Sequence, residues 1–195
     1  MSVATRADSL VAGFARTLVA GAVRPGPGTV QLVTRVLGAL VAESAEPPRD
    51  APIVLAATDH CLSAVAEFVA TCEDTTRRLR PSVSLALEPS LLLGRFTVEQ
   101  RWAAPCYALV TPGGAGVSAL GWATAAVDSG SVPAAVVCEV VHGQLDGKTA
   151  VLAVAALIGP GGSATGGVHA VTEDLDPGAF DSVLLRAARG EVPGT

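Results

Sequence analysis

Residues 111–130, TPGGAGVSALGWATAAVDSG, constrain the fold more than any other stretch of the chain. Two consecutive glycines, Gly113 and Gly114, follow an apolar run and precede a segment dominated by Ala, Gly, Ser and Thr. Glycine reaches the backbone conformations of a tight turn at little steric cost, so the pattern predicts a strand that turns sharply into a helix. That helix is built of small side chains and closes at Ser129-Gly130. Its neighbours must approach it closely.

The rest of the chain supplies a sheet for such a helix. IVLAAT (residues 53–58) reads as a buried strand, and LLLGRF (91–96) and CYALV (106–110) are strand-like. VPAAVVCEVV (132–141) and TAVLAVAALI (149–158) are strands joined by a turn-rich linker, HGQLDGK. Leu10, Val11, Phe14, Leu18 and Val19 fall at helical spacing, which predicts a first helix over residues 8–22. After the break PGPG, Thr29 is placed to cap a second helix with Val30, Leu32, Val33, Val36, Leu37, Leu40 and Val41 on its apolar face. Asp59 is placed to cap a third, and AFDSVLLRAA (179–188) predicts a last one. Between Pro81 and Pro89 the segment SVSLALE reads as extended, and GPGGSATGG (159–167) as a flexible loop. This order predicts a single α/β domain with a mostly parallel central sheet flanked by helices.

Composition bounds what such a domain binds. Half of the 195 residues are hydrophobic and only 16% are charged, so part of the surface is expected to be covered by another subunit; the alternative is a large parallel sheet buried on both faces. A net charge of −5 argues against nucleic acid, which demands clustered Lys and Arg. No apolar run reaches the ~20 residues of a membrane span, and residues 1–23 lack the order of a signal peptide; the expected location is the cytoplasm. Cys61, Cys72, Cys106 and Cys138 form no CxxC pair and have no histidine at metal spacing. They are expected to be buried thiols, with no metal and no bound cofactor. GPGGSATGG lacks the Gly-Lys-Ser/Thr ending of a phosphate loop.

Several of these segments, taken in order, resemble the amino-terminal half of β-ketoacyl synthases, which have the thiolase fold. IVLAATDHCLSAVAEFVATC resembles the strand and helix that open that half, and RPSVSLALEPS its pocket-lining Pro-Ser segment. LLLGRF resembles the stretch beside it, APCYALVTPGG the strand leading to the nucleophile, and VPAAVVCEVV the strand that follows. The resemblance is strongest over residues 30–160. It implies half of a thiolase-like fold, with two departures from the family. Counting back from Ser129-Gly130, Gly113 takes the place of the nucleophilic cysteine. The carboxy-terminal half, which carries the family's catalytic histidines, has no counterpart, and His60, His142 and His169 lie outside its motifs.

The resemblance implies a truncated ketosynthase of polyketide biosynthesis, associated with polyene pathways. Its expected chemistry is non-decarboxylative carbon–carbon bond formation of the Michael type, without a cysteine nucleophile. Gly113 and Gly114 would present backbone N–H groups to a developing oxyanion; the plainer role is to make the turn. Glu88, set among Leu85, Leu87 and Leu91, is the candidate base, a partly desolvated carboxylate reaching a neighbouring subunit's pocket. The alternative is a solvated loop glutamate. Asp59-His60 is placed to form a polar cluster with Glu139 or His142, making His60 a weaker proton-transfer candidate. Arg77, Arg78 and Arg80 form a basic cluster that would suit an acyl carrier protein, whose phosphopantetheine would carry the substrate; the plainer reading is a solvated helix end. The expected assembly is a homodimer, or a heterodimer with a ketosynthase, joined through a sheet edge and residues 98–107. The competing function is a non-catalytic partner, like a chain-length factor, that shapes another subunit's pocket.

Overall fold

The computed structural model describes residues 17–25, 28–43, 49–76, 78, 84, 87–111, 114–160, 168–171 and 179–189. In chain order they form β1 (Thr17–Val23), α1 (Gly28–Glu43), β2 (Ile53–Ala56), α2 (Thr58–Glu73), α3 (Leu91–Gln100) and β3 (Cys106–Leu109). These are followed by α4 (Ala115–Asp128), β4 (Ala135–Leu145), β5 (Lys148–Ile158), β6 (Val168–Ala170) and α5 (Val183–Ala188). All six strands join one sheet in the order β3-β2-β4-β5-β1-β6. β2 is parallel to β3 and β4, and β1 is parallel to β6, whereas β5 is antiparallel to both β4 and β1. The architecture is α/β, with a sheet of mixed direction.

The reversal at β5 comes from two residues. Asp146 and Gly147 both have positive φ, 51° and 69°, and Leu145 pairs with Lys148. A two-residue turn of this hand matches the twist of an antiparallel hairpin. Residues 142–148, read from sequence as a linker, are therefore mostly strand. β4 and β5 are buried without interruption over residues 135–141 and 150–158. That pattern arises where both faces of a sheet are covered. One face packs against Leu32, Leu37 and Leu40 of α1, Leu92 and Phe96 of α3, and Trp102. The other is built with small residues, Ala20, Ala56 and Ala156 forming one cluster with Ala115, Ala119 and Ala123 of α4 and with Leu184 and Leu185 of α5.

Four expectations give way here. LLLGRF is the start of α3, not a strand: Leu92, Leu93 and Phe96 share a buried face, and Phe96 meets Trp102 with ring centroids 5.3 Å apart. Residues 17–23 are strand β1 rather than helix, because β5 offers them a complete antiparallel register from Thr17–Leu157 to Val23–Val151; residues 8–16 lie outside the described residues. Neither expected side-chain cap is made. α1 already begins at Gly28, leaving Thr29 buried in its first turn, and α2 is preceded by Ala57, with Asp59 one residue inside the helix. Of the extended segment 82–88 only Ser84, Leu87 and Glu88 are described, and residues 161–167 of the glycine loop are not. Cys61 and Cys138 are buried as expected, but Cys72 and Cys106 are exposed, because α2 turns one face outward and β3 lies at the sheet edge. Among the described residues, no helix is long and apolar enough to cross a membrane.

Candidate functional site

The turn before α4 opens onto a cavity of about 580 Å³. Gly114 immediately precedes the helix with φ of 99°, a conformation that favours glycine. Ser118 is bonded back to the Gly114 carbonyl at 3.0 Å. The amides ahead of Ser118 therefore point out of the helix end, where no side chain caps them and no acidic residue stands in the first turn. The opposite wall comes from the start of α2, from β4 and from α5: Thr58, Asp59, Glu139, Val141, Val183 and Arg186. Thr58 braces this corner, its hydroxyl donating to the Thr111 carbonyl at 3.0 Å and accepting from the Thr111 amide at 3.2 Å.

Glu139 is the residue around which the corner is built. It is 3% exposed, within the otherwise apolar stretch 135–141 of β4. The Ser182 hydroxyl donates to it at 2.6 Å, and the amides of Val183 and Leu184 each donate at 3.1 Å. Ser182 in turn accepts from Leu185 N–H at 3.2 Å, so it caps α5 while holding the carboxyl group. Burial raises Glu139 above its ordinary value, against the lowering effect of these three hydrogen bonds. Space for it exists because residue 116 is glycine: a Cβ there would overlap Glu139 Oε1 and stand 2.9 Å from Cδ. A second glycine seats the same terminal segment, since a Cβ on Gly143 would come within 2.6 Å of the Phe180 ring.

Beside the cavity, α2 and β4 bring two histidines together. The rings of His60 and His142 lie 6.1 Å apart, and the His142 amide donates to Asp59 Oδ2 at 3.4 Å. Burial lowers both histidines; His142 lowers His60 further, while Asp59 partly restores His142. A histidine whose folded value is depressed supports the fold above its unfolded value of ~6.5. Stability should therefore fall as pH drops from ~6.5 through the lowered folded values. Urea midpoints measured across that range should show a shallower slope for His60→Gln and His142→Gln than for the parent chain; equal slopes would remove the pair from the titration.

The sequence candidates are distributed unevenly over this geometry. Gly114 lies on the cavity lining, and Asp59 joins it there; Gly113 is outside the described residues. His60 stands next to the lining through Asp59 and His142. Glu88 is exposed in the turn leading into α3 and is not on the lining, so the desolvation expected of it is not present within the single chain. The Cys61 thiol is pushed up by burial first and by the nearby Glu88 second. Arg78 is exposed, and Arg77 and Arg80 lie outside the described residues. None of the four cysteines lines the cavity, and among the described residues no cluster of three or more His, Cys, Asp or Glu is arranged to hold a metal. Sequence reasoning missed the partners of Glu139. The one signal available was a lone acid inside the run VPAAVVCEVV.

Neither a protein-family model nor a curated protein matches the sequence. Among solved structures, the chain is similar to one from the complex of the ketosynthase ApeO with its chain length factor ApeC from Xenorhabdus doucetiae. The TM-score is 0.52 at 11% identity, covering 69% of this chain and 58% of that one. The ishigamide ketosynthase/chain length factor is matched with a TM-score of 0.46 at 12% identity, over 64% of this chain and 42% of that one. The chain thus spans less than two thirds of the length of either. By the first of these likenesses, the chain has the ketosynthase-like α/β fold.

Proposed function

We propose that this protein is a ketosynthase-like subunit of polyketide biosynthesis that forms a carbon–carbon bond without a cysteine nucleophile. The observation that carries the reading is the cavity at the amino end of α4, where uncapped amides face carboxyl groups and no cysteine is present. Backbone dipoles fixed toward one point stabilise developing negative charge with little reorganisation. A conjugated acyl chain bound there would present its carbonyl to the amides near Gly113 and Gly114. A second chain, deprotonated by a carboxylate, would add to it in the Michael sense. Glu88, reaching in from a neighbouring subunit, and Asp59, already on the lining, are the two carboxylates for that step. Holding both chains in register supplies the acceleration of proximity. Polyene chains on the phosphopantetheine of an acyl carrier protein are the proposed substrates, with Arg77, Arg78 and Arg80 as the carrier's contact.

A second reading, a non-catalytic partner of a full-length ketosynthase, is favoured by the surface around β3. This strand is at the end of the sheet, and Tyr107 is 45% and Trp122 41% exposed, with their rings 5.3 Å apart. Val98, Val110 and Val117 are exposed as well. An open strand edge and apolar side chains of this kind suit a subunit interface, which either reading can use for a homodimer or a heterodimer.

Purified protein incubated with polyenoic acids, or with carrier-bound polyenoyl chains, should yield a coupled product detectable by mass spectrometry. Replacing the true base, in parallel Glu88→Gln and Asp59→Asn variants, should slow formation by about 100-fold or more. Absence of product from every substrate, together with a stable complex on co-expression with a full-length ketosynthase, would leave the partner reading in its place.

A further inference from the structure

The two oxygens of the Glu139 carboxyl group are not equivalent. Oε2 accepts from the Ser182 hydroxyl at 2.6 Å and the Leu184 amide at 3.1 Å. Among the described residues, Oε1 accepts only from the Val183 amide, at 3.1 Å. Ser182 already receives the Leu185 amide on its oxygen, so its proton is directed to Oε2. A carboxylate oxygen facing two donors has no room for a proton of its own. In a neutral carboxyl group here, the proton belongs on Oε1. That oxygen lies against Gly116 in the first turn of α4, and both Glu139 and Gly116 are on the cavity lining.

We propose that Glu139 is the acid of this cavity, a neutral carboxyl group donating from Oε1 to the carbonyl oxygen of an unsaturated acyl chain. The assignment rests on the coupling reaction proposed above. As the carbanion of the deprotonated chain bonds to the acceptor's β-carbon, the electron pair of the C=C bond moves between the α-carbon and the carbonyl carbon. The carbonyl π pair moves onto oxygen, and the Glu139 proton follows it. The result is the enol of the coupled chain and an ionised Glu139. Tautomerisation of the enol shifts its proton from oxygen to the α-carbon, and the proton first taken by the base returns to Glu139 through water. No other reactant enters.

The surroundings fit an acid that keeps its proton. Burial favours the neutral form, and Asp181 adds to this, while the bonds from Ser182, Leu184 and Val183 act in the opposite sense. The other charged groups on the lining are Asp59 from α2 and Arg186 from α5, whose Nη1 stands 3.3 Å from Asp181. A comparable device, a carboxylic acid held neutral by an apolar site so that it can donate to an oxyanion, is established chemistry.

Infrared difference spectra of the whole protein, parent minus Glu139→Gln, read this group directly. The carbonyl stretch of a protonated carboxyl group should persist above the ordinary glutamate value of ~4.3. Ser182→Ala, which removes a donor to the charged form, should move the titration to still higher pH. A dinitrophenol that stays ionised across this range serves as a probe for the enolate oxygen. Its affinity for the parent protein should fall about 10-fold or more as Glu139 loses its proton, the worth of one hydrogen bond to a charged group. In Glu139→Gln the affinity should stay flat over the same range. A band that titrates at or below the ordinary value, a flat profile in the parent, or failure of the phenolate to bind overturns the assignment. If Glu139→Gln does not fold, the parent's own titration and its displacement in Ser182→Ala decide the matter. These readouts need no coupling: an acid that titrates as expected while no coupled product forms removes the reaction and keeps the acid, and the opposite result does the reverse.

Discussion

Replacing Gly116 by alanine should destabilise the protein by about 2–4 kcal/mol, combining the strain of overpacking with the loss of buried hydrogen bonds. The added methyl would overlap the Glu139 carboxyl group and press to 3.2 Å from Val183 Cβ. Neither neighbour has an easy retreat. Glu139 is fixed by three donors, and Val183 opens a helix whose Val183, Leu184 and Leu185 are all buried. Two other helical glycines give the contrast. A Cβ on Gly38 or Gly121 meets nothing within 4 Å, so Gly38→Ala and Gly121→Ala should each gain about 0.5–1 kcal/mol from helix propensity alone. Urea unfolding of the three variants checks both signs. A Gly116→Ala protein as stable as the other two would mean that Glu139 is not held where it is described.

Phe180→Ala should cost about 3–5 kcal/mol, the usual range for an aromatic side chain removed from a core. Phe180 is 4% exposed, and its ring occupies the space that the absent side chain of Gly143 leaves free. With Leu184 and Leu185 it anchors residues 179–189 on the apolar side, as Glu139 does on the polar side. Without it, α5 should loosen from the sheet and expose Arg186 and Arg189 to trypsin. Cleavage there well ahead of global unfolding, with a lowered urea midpoint, is the expected result. An unchanged midpoint and unchanged cleavage would show that α5 is held by other contacts.

What could be seen in the sequence follows from the range over which each signal acts. β2, β4 and β5 were legible because a strand covered on both faces writes itself as an unbroken apolar run. The glycine turn and α4 were legible because a positive φ and a close helix–sheet approach both select small residues at consecutive positions. LLLGRF misled because three leucines in a row look like strand; the buried set Leu92, Leu93 and Phe96 has helical spacing only once Leu91 is known to face solvent. β1 misled because Leu18 and Val19 continue a helical spacing begun at Leu10, and only pairing with β5, more than a hundred residues on, decides otherwise. The hairpin at Asp146-Gly147 was available from the dipeptide itself. The site was harder. Glu139 and its partners Ser182, Val183 and Leu184 lie more than forty residues apart, and nothing local to either segment announces the other.

The strand order has a consequence for how the molecule comes into being. β5 sits between β4 and β1, yet it is made after both, and β4 must likewise arrive before β2 is covered on its second side. While the chain is leaving the ribosome from its amino end, β1 waits for residues 151–157 before it can pair with β5. The tight β4–β5 reversal then supplies the missing neighbour. The nascent first half is thus the period of greatest danger from aggregation, and a chaperone that holds the chain until the hairpin emerges would act at the moment of greatest need.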